Sequence, residues 1–392
     1  MILPSIGGSS GSSGSAQGIL VLYHEPLVRG GTYLGSFDSL DSWHHTIEAF
    51  GGFDSAEFNI SAPEMELWDW FENGIGRHIM AIDDGGETIW EGFVNEIAIS
   101  VGGYAVTKGP LLNIGNAVAI NFSTFDFGFT PPIPGVRKFI DAVPHEESQR
   151  RYGIVYKLLS AVGISDANAL QLLETYLEEN HEPENSASFS FSDTGTSLTV
   201  YCRGYFHWLQ YPYNNVSPGF TNIGDKIRDI LSNDPNGIIS TDFSNVAPNT
   251  AVVPFWEISE QEAKEAIRGY VIQGDVSNQR YIFGIYEERK AHYGPVPDFI
   301  SYKFKLRDAS RQVFDLSDNL VPPWRIRPGR WIQFTDFMLG SIPSITRLRE
   351  DPRNLFIETV EFTAPNIFNL SGGKVTKFEQ KLAKLGLSGV AA

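Results

Sequence analysis

Histidine and glutamate stand next to each other at several places in the chain, and this combination could bind a metal ion or move a proton. The adjacent pairs are His24-Glu25, His145-Glu146 and His181-Glu182, with a double histidine at His44-His45. A zinc site on a helix needs its histidines one turn apart, as in H-E-x-x-H, because that spacing directs both rings at one ion. None of these pairs has that spacing, so we expect neither a metal site nor a cofactor.

Two short motifs match nucleophile and phosphate-binding patterns but lack the surroundings that those patterns require. Residues 7–11, GGSSG, match G-x-S-x-G, yet the flanking sequence predicts neither the preceding strand nor the following helix. The stretch SGGKVT at 371–376 has valine where a phosphate-binding loop has serine or threonine for magnesium. The single cysteine, Cys202, alternates with Leu198 and Val200, which indicates a buried small side chain. We therefore expect no catalytic residue.

Glycan chemistry stays open, because a glycosidase needs only two carboxylates and aromatic platforms, which need not be adjacent in sequence. The chain has 47 acidic residues and 8 tryptophans, so it contains the residue types that such a site requires. The aromatic residues that could stack on sugars are Trp68, Trp70, Trp90, Trp208, Tyr211 and Tyr213. Residues at these spacings are more often part of a core. A β-rich polysaccharide hydrolase and a carbohydrate-binding adhesin are therefore kept as alternatives.

One basic stretch, WRIRPGRW, departs from the acidic character of the chain. It places Trp324, Arg325, Arg327, Arg330 and Trp331 close together. The alternation predicts that the first two arginines share one strand face, and Pro-Gly at 328–329 predicts a turn. Tryptophan and arginine are enriched where protein surfaces meet. These residues are candidates for a subunit interface, and the alternative is that the arginines are solvated on a sheet edge.

Composition limits the function further. A chain of 392 residues with 42% hydrophobic residues is long enough for more than one packed unit. The formal net charge of -17 opposes tight binding of nucleic acid, which requires lysines and arginines that displace phosphate counterions. It would suit a surface past which DNA moves without sticking, or serve solubility alone. No apolar run approaches the ~18 residues of a membrane span, and no Sec signal is expected.

The elements that must position these residues fall into five stretches. They are a flexible Gly/Ser arm (1–18), a first β-barrel-like unit (19–126), a mixed helical and strand middle region (127–298), a second β-barrel-like unit (299–372) and a C-terminal amphipathic helix and tail (373–392). The predicted fold class is α+β and β-rich, with two antiparallel β-barrel-like units and helical insertions between them.

A hairpin is predicted at 88–107, TIWEGFVNEIAISVGGYAVT, with a buried face on Ile89, Phe93 and Ile97 and a wet face that includes Gly92 and Glu96. Strands are also predicted at SLTVYC, RYIFGIY, FISYKFKL, VPPWRIRPGRWIQFTDF and NLFIETVEFTAP, and Asp83-Asp84-Gly85-Gly86 is predicted to form a turn.

Helices are predicted by apolar periodicity in four stretches, HEESQRRYGIVYKLLSAVG, DANALQLLETYLEEN, TNIGDKIRDILSN and SEQEAKEAIRGYVIQG, the last with a capping box from Ser259 to Glu262. DSLDSWHHTIEAF and APEMELWDWFENG are predicted as amphipathic turns or helix fragments. At the C-terminus, Phe378 and Leu382 belong to an apolar stripe beside a stripe of lysines, which predicts a short docking helix.

The order of these segments resembles the tail hub, or baseplate hub, proteins of long-tailed bacteriophages. The segments concerned are Trp90 to Val94, GPLLNIGNAVAINFS, GYFHWL, YGPVPD, PWRIRPGRW and the closing amphipathic stretch, so the resemblance covers about residues 19–385. It implies a homotrimer in which each subunit supplies two β-barrel-like units, so that three chains imitate the six-fold tail tube.

The resemblance also implies a place at the tail tip of the virion and a set of partners. These would be the tail tube, the distal tail and tape-measure proteins, and a central fibre or spike, with DNA passing through without specific binding. It carries no catalytic residues, so the expected function is that of a structural hub and not of an enzyme.

Overall fold

The computed structural model describes residues 18–126, 133–190, 195–215, 222–252, 258–277, 279–305, 312–335, 353–364 and 367–372. The Gly/Ser arm up to residue 17 and the C-terminal stretch from 373, including Phe378 and Leu382, lie outside the described residues. Both therefore stay predictions.

The described residues form strands throughout. In chain order they are β1 (Ile19–His24), β2 (Tyr33–Phe37), β3 (Ser42–Glu48), β4 (Phe50–Ile60), β5 (His78–Asp83), β6 (Thr88–Val101), β7 (Tyr104–Lys108), β8 (Ala117–Asp126), β9 (Ile133–Pro144), β10 (Tyr156–Val162), β11 (Asn185–Phe189), β12 (Thr196–Arg203), β13 (Pro212–Asn215), β14 (Ile258–Glu262), β15 (Tyr281–Ile285), β16 (Ala291–Pro295), β17 (Ile300–Lys305), β18 (Val313–Asp315), β19 (Leu320–Val321), β20 (Trp331–Thr335), β21 (Asn354–Phe356), β22 (Thr359–Thr363) and β23 (Ile367–Ser371).

Far fewer residues are helical. The α-helices of the described part are α1 (Glu64–Asn73), α2 (Glu146–Tyr152), α3 (Asp166–Asn180), α4 (Ile223–Ser232) and α5 (Ala263–Gln273), and short 3-10 helices include Tyr205–Trp208, Glu287–Arg289 and Pro323–Arg325. None of the helices in the described ranges has the length and apolar character needed to cross a membrane.

Most strands belong to one large mixed sheet of 13 strands with the order β2-β1-β5-β6-β12-β4-β3-β22-β23, to which β7, β11, β15 and β16 are attached. Three smaller sheets have the orders β10-β8-β9, β13-β14 and β19-β18-β17-β20-β21. The chain is therefore β-rich with few helices, as the sequence predicts.

The large sheet curves around an aromatic core. Phe37 on β2 and Phe58 on β4 have ring centroids 6.0 Å apart, although four strands separate β2 from β4 in the sheet. Trp43 on β3 and Trp90 on β6 are fully buried, with centroids 6.3 Å apart. Within the described ranges no pairing joins β2 to β23, the two ends of this strand order, so the curved sheet is not a closed barrel.

The predicted hairpin is confirmed as β6 and β7, with the turn at Gly102 and Gly103, both at positive φ. The predicted wet face is only half right, because every residue from Ile89 to Asn95 is buried. Here α1 and the 3-10 helices Tyr205–Trp208 and Glu287–Arg289 pack against β6. A Cβ on Gly92 would lie 2.2 Å from the carbonyl oxygen of Arg203, so only glycine fits this close approach.

Helix predictions are confirmed for α3 and α4 and corrected elsewhere. HEESQRRYGIVYKLLSAVG gives helix only as far as Tyr152, and after Gly153 (φ 80°) it continues as strand β10. Ser259 does not cap α5, because its backbone lies in strand β14 and the helix begins after Glu262. DSLDSWHHTIEAF contains strand β3 rather than a helix, whereas APEMELWDWFENG does contain helix α1.

Strands from distant parts of the chain meet in the large sheet. β12, from the predicted middle region, pairs with both β4 and β6, and β22, from the predicted second unit, pairs with β3. The domain limits given above stay predictions.

Candidate functional site

The arginine segment is not the continuous strand that its alternation predicts. Pro323–Arg325 form a 3-10 helix, Ile326 is buried, and Gly329 takes a left-handed φ of 77° before β20 begins at Trp331. Arg325 and Arg327 therefore do not share a strand face. The predicted turn at Pro328-Gly329 is confirmed.

Arg325 and Trp324 both bind the carboxylate of Asp83, at the end of β5. The Arg325 Nη2 lies 2.7 Å from Asp83 Oδ2, and the indole Nε1 of Trp324 donates to the same oxygen at 3.2 Å. Arg325 also lies 3.2 Å from the carboxylate of Glu87. Burial alone would raise the pKa of Asp83, but these hydrogen bonds outweigh it and hold the pKa below its usual value.

Arg327 is held by a different part of the chain. Its guanidinium forms an ion pair with Glu287 and lies over the ring of Phe53, 5.6 Å from the centroid. Glu287 begins the 3-10 helix Glu287–Arg289, which packs on β6. Arg325 and Arg327 therefore fasten the 323–327 segment to β5, β6 and the 287–289 turn of the same chain.

Arg330 and Trp331 differ from these two arginines. Trp331 packs edge-to-face on Phe356 of β21, with centroids 5.4 Å apart. Arg330 is exposed, and within the described ranges its side chain forms no ion pair. Of the arginines of this segment, Arg330 therefore offers the most accessible charge for a neighbouring molecule. The interface role of these residues stays a prediction.

A buried cluster of titratable side chains lies on the other side of the 287–289 turn. Glu91 of β6 is 2% exposed and has its Oε1 3.5 Å from Arg289 Nη1 and 3.7 Å from His78 Nε2. The other ring nitrogen of His78 lies 2.7 Å from the hydroxyl of Tyr205, which donates to the carbonyl oxygen of Gly92 at 3.2 Å.

The surroundings of this cluster favour its neutral form. Burial raises the pKa of Glu91 to about 7, although the charge of Arg289 and the main-chain N–H groups of Glu288 and Arg289 act in the opposite direction. Burial and the neighbouring His24 and Arg289 lower the pKa of His78 to about 3. Glu91 and His78 are both closed off from solvent. We therefore assign them to a structural polar network.

The turn that supplies Arg289 is strained. Glu288 and Arg289 both have φ of 58°, a left-handed conformation that costs a non-glycine residue about 1–2 kcal/mol. The main-chain N–H groups of Glu288 and Arg289 act to lower the pKa of the Glu91 carboxyl, against the effect of burial. Arg289 at the end of this turn pairs with Glu91 at 3.5 Å, and Glu287 at its start pairs with Arg327.

Sequence reasoning missed Glu91, although a signal was present. Glu91 lies between Ile89 and Phe93 at two-residue spacing and so belongs to the buried face of β6. A carboxyl on a buried face needs partners, and this could have indicated the cluster.

The aromatic residues considered as sugar platforms are mostly core. Trp70, Trp90, Trp208, Tyr211 and Tyr213 are all buried. Trp68 is half-buried and donates to Glu64 at 3.3 Å. Cys202 is buried as predicted, and burial raises the pKa of its thiol, so it does not act as a thiolate.

Comparisons with known proteins give structural neighbours only. No family model matches the chain, and no curated protein matches it. The 43 kDa tail protein of prophage MuSo2 from Shewanella oneidensis covers 90% of this chain and 95% of its own, at 9% identity and a TM-score of 0.39. A tail protein from Neisseria meningitidis MC58 covers 88% and 92%, at 10% identity and a TM-score of 0.40. Similarities this low establish neither a family nor a shared fold.

Proposed function

We propose that this chain is a structural component of a phage tail, a hub at the tail tip of the virion. Three copies would form a ring that continues the tail tube and joins it to the tape-measure protein and to a central fibre or spike. Each copy would supply two β-barrel-like units, so that the trimer matches a six-fold tube. The order of segments from Trp90 to PWRIRPGRW supports this proposal.

The observation that carries the proposal is an open sheet, which we define as β8, β9 and β10. One face packs on α3, where Val118 and Ile120 meet Ala169 and Leu173. On the other face of β10, Leu158 is 39% and Val162 is 64% exposed. In the described part of the chain no strand pairs with the outer side of β10 or of β9.

A single copy therefore leaves apolar side chains and unpaired backbone groups in water at this edge. Natural proteins cover or block such edges, because an exposed strand is a template for another chain. A neighbouring subunit that adds to this edge would satisfy both the backbone and the apolar surface. This is the arrangement expected of a ring component.

The acidic surface fits the same role. A formal charge of -17 repels phosphate, so DNA would pass through the ring without binding. No enzymatic step is part of the proposal, and we expect the purified chain to hydrolyse neither peptidoglycan nor common glycans. Turnover that a single carboxylate-to-amide substitution abolishes would contradict this.

Measurement of mass in solution tests the proposal directly. Sedimentation equilibrium at micromolar protein should give a species of three times the 43.5 kDa of one chain, and electron microscopy of that species should show a closed ring. A chain that stays monomeric at every micromolar concentration tested would contradict the proposal. So would an oligomer that is compact and has no central opening.

A further inference from the structure

A cleft separates α5 from the edge of the large sheet, and neither the proposed ring nor the arginine segment uses it. Its volume is about 350 Å³, and it lies between the start of β4, α5, β15 and β22. Its apolar wall is formed by Phe50, Val271, Ile272 and Ile282. We call it the α5 cleft.

Charged side chains surround this apolar wall. Arg268 lies over the ring of Phe50, 5.2 Å from the centroid, and Arg280 pairs with Glu358 at 3.1 Å. Glu48 stands at the rim and is exposed. Desolvation by its surroundings and the charge of Asp54 raise the pKa of Glu48, although the charges of His207, Arg268 and Arg203 act in the opposite direction.

Ser371, one residue before the end of the described chain, lies beside two residues that line this cleft. Ser371, the last residue of β23, pairs with Thr359, and its carbonyl oxygen accepts from the N–H of Glu358 at 2.8 Å. Glu358 and Thr359 both line the α5 cleft. Lys374 follows Ser371 by three residues, a reach of at most about 10 Å.

The sequence beyond this point matches the cleft in chemistry. Residues 374–385, KVTKFEQKLAKL, carry Val375, Phe378, Leu382 and Leu385 at helical spacing, with lysines at 374, 377, 381 and 384. An isolated helix of about 12 residues is marginal in water and needs an apolar surface to pack on. The α5 cleft offers apolar side chains for the stripe and the Glu48 carboxylate for a lysine.

We propose that the α5 cleft is the docking site of residues 374–385 of the same chain. The apolar stripe covers Phe50, Val271 and Ile272, and a lysine of the first turn meets Glu48. The proposal goes beyond the hub function and does not depend on it, because the contact forms within one subunit.

Hydrogen exchange on the full chain and on a chain ending at Gly373 tests the contact. Truncation should speed the exchange of amides at 49–50 and 269–273 by about tenfold while leaving β5 and β6 unchanged. A synthetic peptide of residues 374–387 added to the truncated chain should restore the protection. Unchanged exchange in the truncated chain would overturn the proposal.

Two double variants separate docking from a general effect of added charge. Phe378→Asp plus Leu382→Asp should reproduce the truncation, because both positions belong to the apolar stripe. Thr376→Asp plus Gln380→Asp adds the same charge off the stripe and should leave the protection intact. Equal effects of the two pairs would overturn the proposal.

A disulfide trap distinguishes docking within one chain from docking between chains. Glu48→Cys plus Lys377→Cys introduces two accessible thiols, while the native Cys202 is 2% exposed. Oxidation should give an intrachain disulfide that migrates as a monomer on a denaturing gel. A disulfide-linked dimer, or no disulfide at all, would contradict docking within the same subunit.

Discussion

The arginine side chains in the 323–331 segment differ in their surroundings, because two form ion pairs within the subunit and one is exposed at the surface. Arg325 pairs with Asp83 at the end of β5, more than a hundred positions away, and Arg327 pairs with Glu287 in the 287–289 turn. Arg330, by contrast, is exposed. Substituting either of the first two would lower the stability of the subunit itself. Substituting Arg330 would change only what the surface presents.

We predict that Arg325→Glu lowers the stability of the isolated subunit by about 2–3 kcal/mol, because it removes charge-assisted hydrogen bonds and places a second carboxylate beside Asp83. Arg330→Glu is the matched control and should leave the unfolding midpoint in urea unchanged. If Arg330 lies at a subunit contact, this control should still weaken assembly. Equal midpoints for the wild type and Arg325→Glu would show that the Asp83 contact is dispensable.

The Glu91 cluster makes stability depend on pH in a way that two substitutions can separate. The pKa of Glu91 is raised in the folded state. Its contribution to the free energy of unfolding is therefore complete below its usual pKa of about 4.5 and is lost as the pH rises through about 7. The pKa of His78 is lowered to about 3, so its contribution is complete above about 6.5 and is lost as the pH falls. Between these limits the two slopes oppose each other.

Glu91→Gln should therefore gain stability relative to the wild type as the pH rises from about 4.5 to about 7, by an amount on the order of 3 kcal/mol. His78→Asn should leave only the effect of Glu91, so the stability of this variant should fall as the pH rises over the same interval. Urea unfolding at half-unit pH steps measures both, with Glu174→Gln on the exposed face of α3 as control. Arg289, Glu287 and His24 also face the cluster and remain in all variants, so parallel profiles for the wild type and Glu91→Gln would contradict the assignment.

At the scale of elements, local periodicity predicted the structure where an element is stabilised by its own side-chain pattern. α3 and α4 begin at Ser165 and Asn222, whose side chains cap the helix, and both have a buried apolar stripe. The β6–β7 hairpin likewise follows from alternation and a Gly-Gly turn. Each of these signals is contained in one short stretch of consecutive residues, the longest being 88–108.

The elements that could not be predicted depend on distant partners. In β10, Tyr156 and Leu159 fit a helical period, but parallel pairing with β8 holds the segment extended. β14 pairs with β13, which keeps Glu262 extended and delays the start of α5 beyond the expected cap. Nothing in the local sequence specifies such pairing, so tertiary context overrides propensity.

The open edge at β10 gives the prediction at this scale. Leu158→Lys plus Val162→Lys should leave the subunit folded, since both side chains are exposed, but should weaken self-association by about tenfold or more, because lysine on an edge strand blocks pairing. Leu170→Lys plus Leu172→Lys, exposed on α3, adds the same charge elsewhere and serves as control. Sedimentation velocity compares the pairs, and an unaltered trimer in the β10 variant would place the subunit contact elsewhere.

For the whole molecule, the large sheet combines strands from the first, middle and last parts of the chain. β12 lies between β6 and β4, and β22 pairs with β3, so contacts of long sequence separation determine the architecture. Dividing a sequence into consecutive units uses only local patterns, and local patterns do not predict which distant strands pair. Composition, by contrast, acts on the molecule as a whole, and its clearest consequence is charge.

Copies that each carry a formal charge of -17 repel one another when they assemble. Raising the salt concentration from about 10 mM to about 100 mM shortens the screening length from about 30 Å to about 10 Å, so we predict that the proposed trimer becomes more stable by about tenfold or more in its association constant. Sucrose at equal osmolality screens nothing and should have little effect. Glu174→Lys plus Glu178→Lys reduces the negative charge on exposed positions of α3 and should mimic salt. If salt instead weakens the trimer, attraction between opposite charges dominates the contact, and the exposed Arg330 becomes the first residue to test by substitution with glutamine.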